Sequence, residues 1–389
     1  MEINFKNIYK EKDEITSNVL VITALIMLMS LQSFYFPYIG SGLTYLGYLV
    51  PAVLCIVYRK SLSKSDVYFS ASLSVTFLSV VILSGSGIFS LSDFKSILAA
   101  FAMVLLYPLV KSYFYFNYDN VVKALRWVIT IHSFTILVQI IYWIFTREYL
   151  DYLEIIMGSE SRSLSKKGII LFGERLFRFS GFFNEPGTYS VILFCLLSVY
   201  FKMIGRIDAY IGFAIFTILS TMSAFGIILS LLLLIYSSFF DDNSSISKKV
   251  KSVCITFLCI LPFIVLGGMD SFIERFSSDS DYSGGDFREN MIYDFFSESN
   301  FILGYKIHDM PEFFVPNDVG VWFSILASFG IFGFISIFII YSYVINSDSK
   351  LSTVFLLTLI MVTKIKFTYP LMWLLIALLA ISKHRTIND

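Results

Sequence analysis

Residues 123–146 read KALRWVITIHSFTILVQIIYWIFT. Two cations, Lys123 and Arg126, fall in the first four positions, and the next twenty hold no Lys, Arg, Asp or Glu. Twenty residues of α-helix span about 30 Å, the thickness of a bilayer's hydrocarbon core. The stretch therefore predicts a membrane-crossing helix. Eleven further apolar segments of similar character flank it, at about 17–36, 39–58, 67–89, 94–114, 187–204, 208–222, 223–240, 249–268, 317–344, 351–365 and 368–382. The last two are short, the length of a re-entrant pair. The 389 residues are 57% hydrophobic and 15% charged, whereas soluble domains run at about 45–50% and about 25%. The expected fold class is an all-α polytopic integral membrane protein with about twelve transmembrane helices.

Lys and Arg total 29 and Asp and Glu total 29, so nothing favours a nucleic-acid partner. The cysteines Cys55, Cys195, Cys254 and Cys259 each lie in an apolar run, where a thiol behaves as a small hydrophobe; neither a disulfide nor a metal site is expected. Residues 1–16 are polar and mixed in charge and lack a small-residue cleavage site, which favours an uncleaved first helix over a signal peptide. With the N-terminus cytoplasmic, inside segments collect Arg59, Lys60, Lys64, Lys111, Lys123, Arg126, Lys248, Lys249 and Lys251, while short outside loops hold only Lys95, Lys364 and Lys366. Both termini are then cytoplasmic. Asn243-Ser244-Ser245 matches a glycosylation acceptor but falls on the inner side.

That orientation divides the chain into helices over 1–146, an extracytoplasmic loop over 147–186, helices over 187–268, a second such loop over 269–316, and helices with a cytoplasmic tail over 317–389. The first loop is basic, with Arg162, Lys166, Lys167, Arg175 and Arg178; the second is acidic. Arginine collected outside, against the usual bias, calls for an anionic ligand. Residues 175–187, Arg-Leu-Phe-Arg-Phe-Ser-Gly-Phe-Phe-Asn-Glu-Pro-Gly, lead into the sixth expected span. Asn184 suits an N-cap and Pro186 a first helical turn. Arg175 and Arg178 would share a face if this segment were helical, and two guanidinium forks beside a helix start suit a diphosphate. The residues alone equally allow a plain helix cap with arginines on lipid phosphates.

The same residues resemble a family. Arg178-Phe-Ser-Gly-Phe-Phe-Asn-Glu-Pro-Gly187, placed before a membrane helix after a long outside loop, is similar to bacterial O-antigen and capsule polymerases, which share a superfamily with the O-antigen ligases. Arg275-Phe276, Arg288, Ile302-Leu303-Gly304-Tyr305, Asn317-Asp318 and Gly330-Ile331-Phe332-Gly333 follow that family's order, and Ser220-Thr221-Met222-Ser223-Ala224-Phe225-Gly226 resembles its Ser/Gly segment between middle helices. Many relatives carry His-Asn where this chain has Pro316-Asn317-Asp318, with His308 displaced.

The resemblance implies a GT-C-like membrane glycosyltransferase on the outer face of the bacterial cytoplasmic membrane. Its donor is a glycan on undecaprenyl diphosphate and its acceptor another lipid-linked repeat unit. It implies no cofactor and no metal. A flippase and a chain-length-regulating co-polymerase are the implied pathway partners, with membrane lipids around the chain. Arg175, Arg178 and Arg288 would face the diphosphate. Glu185 would orient or deprotonate the acceptor, with His308 and Asp318 as further base candidates. The alternatives are an O-antigen ligase and, in another class, a lipid-linked oligosaccharide flippase or polysaccharide transporter. Spans 17–114 and 223–268 carry almost no charge away from their ends, which disfavours transport.

Other signals have plainer readings. Asp279-Ser280-Asp281 fits a solvated acidic loop better than a metal clasp. His132 reads as a neutral imidazole bonded to a neighbouring helix, with Gln139 as a possible partner. Lys364 and Lys366 read as outer-surface cations that either reach headgroups or attract the lipid diphosphate, the first being the plainer reading. Single cysteines placed at 160 and 285 should react with an impermeant thiol reagent on intact cells, and one at 245 only after permeabilisation. Labelling of 245 on intact cells overturns the orientation.

Overall fold

A computed structural model describes residues 18–32, 42–83, 91–158, 169–171, 174–176, 178–240, 284–297, 301, 302, 304, 318–348 and 350–381. The elements are α1 (Val19–Ser30), α2 (Gly42–Val57), α3 (Lys64–Leu83), α4 (Leu91–Phe116), α5 (Tyr118–Thr146), α6 (Tyr152–Met157), β1 (Ile169–Leu171), β2 (Glu174–Leu176), α7 (Pro186–Ile204), α8 (Ala209–Ser220), α9 (Ala224–Phe240), α10 (Gly284–Ser297), α11 (Val321–Phe329), α12 (Ile331–Ser347), α13 (Leu351–Met361) and α14 (Pro370–Leu379). Apart from one short antiparallel hairpin, β1–β2, the regular structure of the described residues is helical.

Among the described residues, three helices are long and apolar enough to cross a membrane: Leu98–Phe116 within α4, all of α5, and α7. Several shorter apolar helices accompany them. The outer helices turn large apolar side chains outward, among them Phe134, Ile82 and Phe338, the last 72% exposed. A surface of that kind suits lipid rather than water.

Two helices form the centre. Nearly all of α7 is buried, as is every residue of α14. α7 packs on α5, α8, α9, α13 and α14; α14 packs on α1, α2, α4, α7 and α13. Close approach of α9 to α7 requires Gly226, since a Cβ there would lie 2.5 Å from the Ser190 Cβ.

Helices occupy the apolar segments predicted for them, with two departures. The segment at 249–268 lies outside the described residues. The segment expected as one helix over 317–344 is broken into α11 and α12 at Gly330. Gly330 has φ +55°, and a Cβ on it would meet the Gly304 nitrogen and Ile302 oxygen at 2.5 Å. The Ile331 N–H instead donates to the Ile302 carbonyl at 3.1 Å, so Ile302 closes over the break.

Buried and half-buried charges staple the bundle. Lys111 Nζ on α4 donates to Asp66 Oδ1 on α3 at 2.7 Å and to the Tyr343 hydroxyl on α12 at 2.8 Å, while that hydroxyl donates to Asp66 at 2.6 Å. Arg126 of α5 donates to the Tyr200 hydroxyl of α7 at 3.1 Å, and Tyr200 donates to Asp208, the cap of α8, at 2.6 Å. Removing one member of a buried pair strands the other and costs about 3–5 kcal/mol. Lys111→Met should therefore lower the Tm in detergent sharply, and Asp66→Asn added to it should recover most of the loss. Equal Tm values for the single and double variants would contradict this role for the pair.

Candidate functional site

The 178–185 loop is seated on α5 by its backbone. The Gly181 N–H donates to Gln139 Oε1 at 2.9 Å, while Gln139 Nε2 donates to the Leu150 carbonyl at 2.8 Å. One amide thus holds both strands of chain that pass over the helix. The Ser180 hydroxyl bonds Tyr149 Oη at 2.8 Å, and the Phe183 N–H closes a turn onto the Ser180 carbonyl at 3.0 Å. Gly181 has φ +57°, and a Cβ there would stand 2.7 Å from Thr135 Oγ1. Only glycine gives both the left-handed turn and this close seat.

Aromatic rings fill the space below the loop. Phe179 stacks with Tyr149 at 6.4 Å, Phe182 meets Tyr152 at 5.2 Å, and Phe183 lies 5.3 Å from the His132 ring and 5.9 Å from Tyr189. Phe179, Ser180 and Phe183 are buried, while Arg178, Asn184 and Glu185 are half-buried at the loop's two ends.

Glu185, not Asn184 as expected, occupies the N-cap of α7 with extended dihedrals (φ −148°, ψ 152°), and Pro186 is the first helical residue. The extended conformation required before proline gives the physical reason. The Glu185 carboxylate bonds no backbone N–H as a cap would; Oε1 accepts from the Thr188 hydroxyl at 3.2 Å. This frees the carboxylate from the capping role that would have accounted for it.

The Ser/Gly segment between α8 and α9 joins the same helix start. Thr221 Oγ1 bonds Ser190 Oγ at 2.9 Å, and Ser190 donates to the Pro186 carbonyl at 2.9 Å. The Tyr189 hydroxyl donates to Thr217 at 2.8 Å. Thus two segments about forty residues apart in sequence meet at the first turn of α7.

Other sequence candidates fall as follows. Arg175 lies in β2 opposite Ile170, so the helical spacing expected to align it with Arg178 is not formed. Arg288 lies in α10, which packs through Met291 and Phe295 onto Phe323, Leu326 and Ala327 of α11. His308, Asp279 and Asp281 lie outside the described residues. Asp318 Oδ1 pairs with Lys364 Nζ at 3.2 Å. His132 bonds Ser30 Oγ on α1 through Nε2 at 2.8 Å, so the ring is joined to a neighbouring helix; Gln139, the partner expected for it, serves the loop instead. Among the described residues no group of three His, Cys, Asp or Glu side chains is arranged to hold a metal.

Comparison of the chain with protein-family models, with curated proteins and with solved structures finds no match.

Gln139→Leu would leave the Gly181 N–H and the Leu150 carbonyl unpaired, at about 1–3 kcal/mol each. Hydrogen exchange across 178–185 should accelerate clearly. Gln139→Glu keeps the acceptor but not the donor and should fall between. Unchanged exchange in Gln139→Leu would remove this amide as the loop's anchor.

Proposed function

We propose that this chain is a membrane glycosyltransferase that polymerises undecaprenyl-diphosphate-linked oligosaccharide repeat units into O-antigen or capsular polysaccharide. The observation that carries the reading is the 178–187 segment. It resembles the polymerase motif, and it is also a loop fixed on α5 that sets an arginine and a glutamate, whose carboxylate makes no capping bond, on either side of one aromatic-floored turn. In this reading the chain is a polytopic protein of the bacterial cytoplasmic membrane, with both termini cytoplasmic and the loop on the outer face.

The reaction is a displacement. The acceptor hydroxyl attacks the donor's anomeric carbon, a new C–O bond forms, and the bond to the diphosphate breaks with its electron pair leaving on polyprenyl diphosphate. The hydroxyl proton passes to Glu185. Diphosphate is already a good leaving group, so the protein's work is positioning and charge stabilisation. Arg178 supplies planar donors for the charge gathering on the diphosphate, with Arg175 and Arg288 as additional cations. Neither a metal nor another cofactor enters the proposal. A ligase of the same superfamily would use the same donor chemistry, and the product separates the two. Loss of a polymerase leaves single repeat units attached, whereas loss of a ligase leaves long chains unattached.

The test is a glycan ladder from a knockout complemented with each variant, beside a blot of the membrane fraction. Arg178→Lys keeps the charge but loses the fork, and should be badly impaired. Removing one donor to developing charge costs about 10²–10³ in rate. Glu185→Gln preserves the shape and should abolish long chains at normal expression. Normal ladders from both variants would remove this site from the reaction.

A further inference from the structure

The turn between α13 and α14 lies deep in the bundle. Cys195 Sγ of α7 approaches Thr363 Oγ1 at 3.8 Å, and both residues are buried. Cys195 is nine residues from Pro186 and nine from Ile204, so about 13 Å of helix lies on either side of it. Thr363 therefore sits level with the middle of a helix long enough to cross a membrane.

Two further contacts fix this depth. The Val321 N–H at the start of α11 donates to the Thr363 carbonyl at 2.9 Å, so α11 begins at the same level. At the other end of the bundle, Lys202 Nζ of α7 donates to the Leu379 carbonyl at 2.8 Å and the Ile381 carbonyl at 2.5 Å, and lies 3.2 Å from Asp348 Oδ2. α14 has ten residues, about 15 Å of helix, and so runs from that end only to mid-depth. Thus α13 and α14 form a half-membrane hairpin whose turn does not reach the surface where Lys364 and Lys366 were expected.

That turn is charged and open. Lys364 pairs with Asp318, and their side chains are 27% and 42% exposed. Lys366 is exposed and stands 5.6 Å over the Tyr369 ring. Charged side chains at membrane depth face a water-filled cavity or one another, because contact with hydrocarbon costs several kcal/mol. At that depth the exposure of Lys366, and of the outer part of the Lys364–Asp318 pair, favours water over hydrocarbon beside this turn. The group carries two cations against one carboxylate, and its neighbour α7 starts with the loop described above.

We infer that Lys364, Lys366 and Asp318 line a solvent-filled recess at half-membrane depth that takes a lipid-borne diphosphate. Asp318 holds Lys364 in the resting state, and the phosphate replaces it. The recess rests on the depth and exposure of these charges; the choice of a diphosphate lipid rests on the proposed function. A diphosphate carried on a polyprenyl chain can enter at this depth with its tail still in hydrocarbon, which a free anion does not need.

The experiment uses the full-length protein in intact cells and in liposomes. Lys366→Cys keeps Lys364 in place and reports accessibility; Phe338→Cys on the lipid-facing side of α12 is the control. An anionic methanethiosulfonate should modify Lys366→Cys at least about tenfold faster than Phe338→Cys, because the thiolate that reacts forms only where water reaches it. Equal inertness of the two cysteines overturns the recess. In liposomes, geranylgeranyl diphosphate should slow the modification, more strongly in Asp318→Asn and about tenfold less strongly in Lys364→Gln, the worth of one charged hydrogen bond. Equal protection by inorganic pyrophosphate overturns the lipid requirement, and protection by neither overturns the diphosphate. These readouts need no polymerisation, so their failure is distinguishable from a normal ladder in Arg178→Lys and Glu185→Gln.

Discussion

α7 is apolar around its whole circumference, and burial on all sides is the condition the remaining helices satisfy. A surface helix would keep one polar stripe; α7 buries Tyr189 through Phe201 without interruption. Its few polar groups turn inward to specific partners. Ser190 meets Thr221, Tyr189 meets Thr217, Tyr200 meets Arg126 and Asp208, and Lys202 meets two carbonyls and Asp348. Each contact fixes a different neighbour against the same axis, which is why the loop before α7, the Ser/Gly segment and the α13–α14 turn all have defined heights along it.

The helices were legible because long continuous apolar runs announce buried or membrane helices. Their ends and breaks were less so. Ile331 follows Gly330 in an unbroken apolar run, and only the packing of Gly304 and Ile302 against that glycine shows why the helix stops. Asn184 and Glu185 are both plausible caps before Pro186; the choice follows from backbone geometry, which composition does not encode. The β1–β2 hairpin depends on pairing across a turn inside a segment that shows no alternation long enough to read.

Within the candidate site, the motif residues were visible and their support was not. Arg178 and Glu185 stood out by type and position. Gln139 also stood out, as an amide within an apolar stretch, but its sequence neighbourhood pointed to His132 on the same helix. The real partners, Gly181 and Leu150, lie 42 and 11 residues away. The depth of Lys364 was hidden for a related reason. Two short apolar segments around a basic pair look the same whether the turn between them surfaces or stops halfway; the contacts of Thr363 with Cys195 and Val321 set it beside the middle of α7.

The burial of α14 also bears on how the bundle is assembled. This helix lies between α1, α2, α4, α7 and α13, all of which precede it in synthesis. Its ten residues are too few to cross a bilayer as a separate insertion unit. The slot it fills therefore stays unfilled until α14 leaves the ribosome, and closes through contacts with helices from both halves of the chain. Such an order makes folding of the core a late, post-insertion event, dominated by contacts between distant parts of the chain and correspondingly slow.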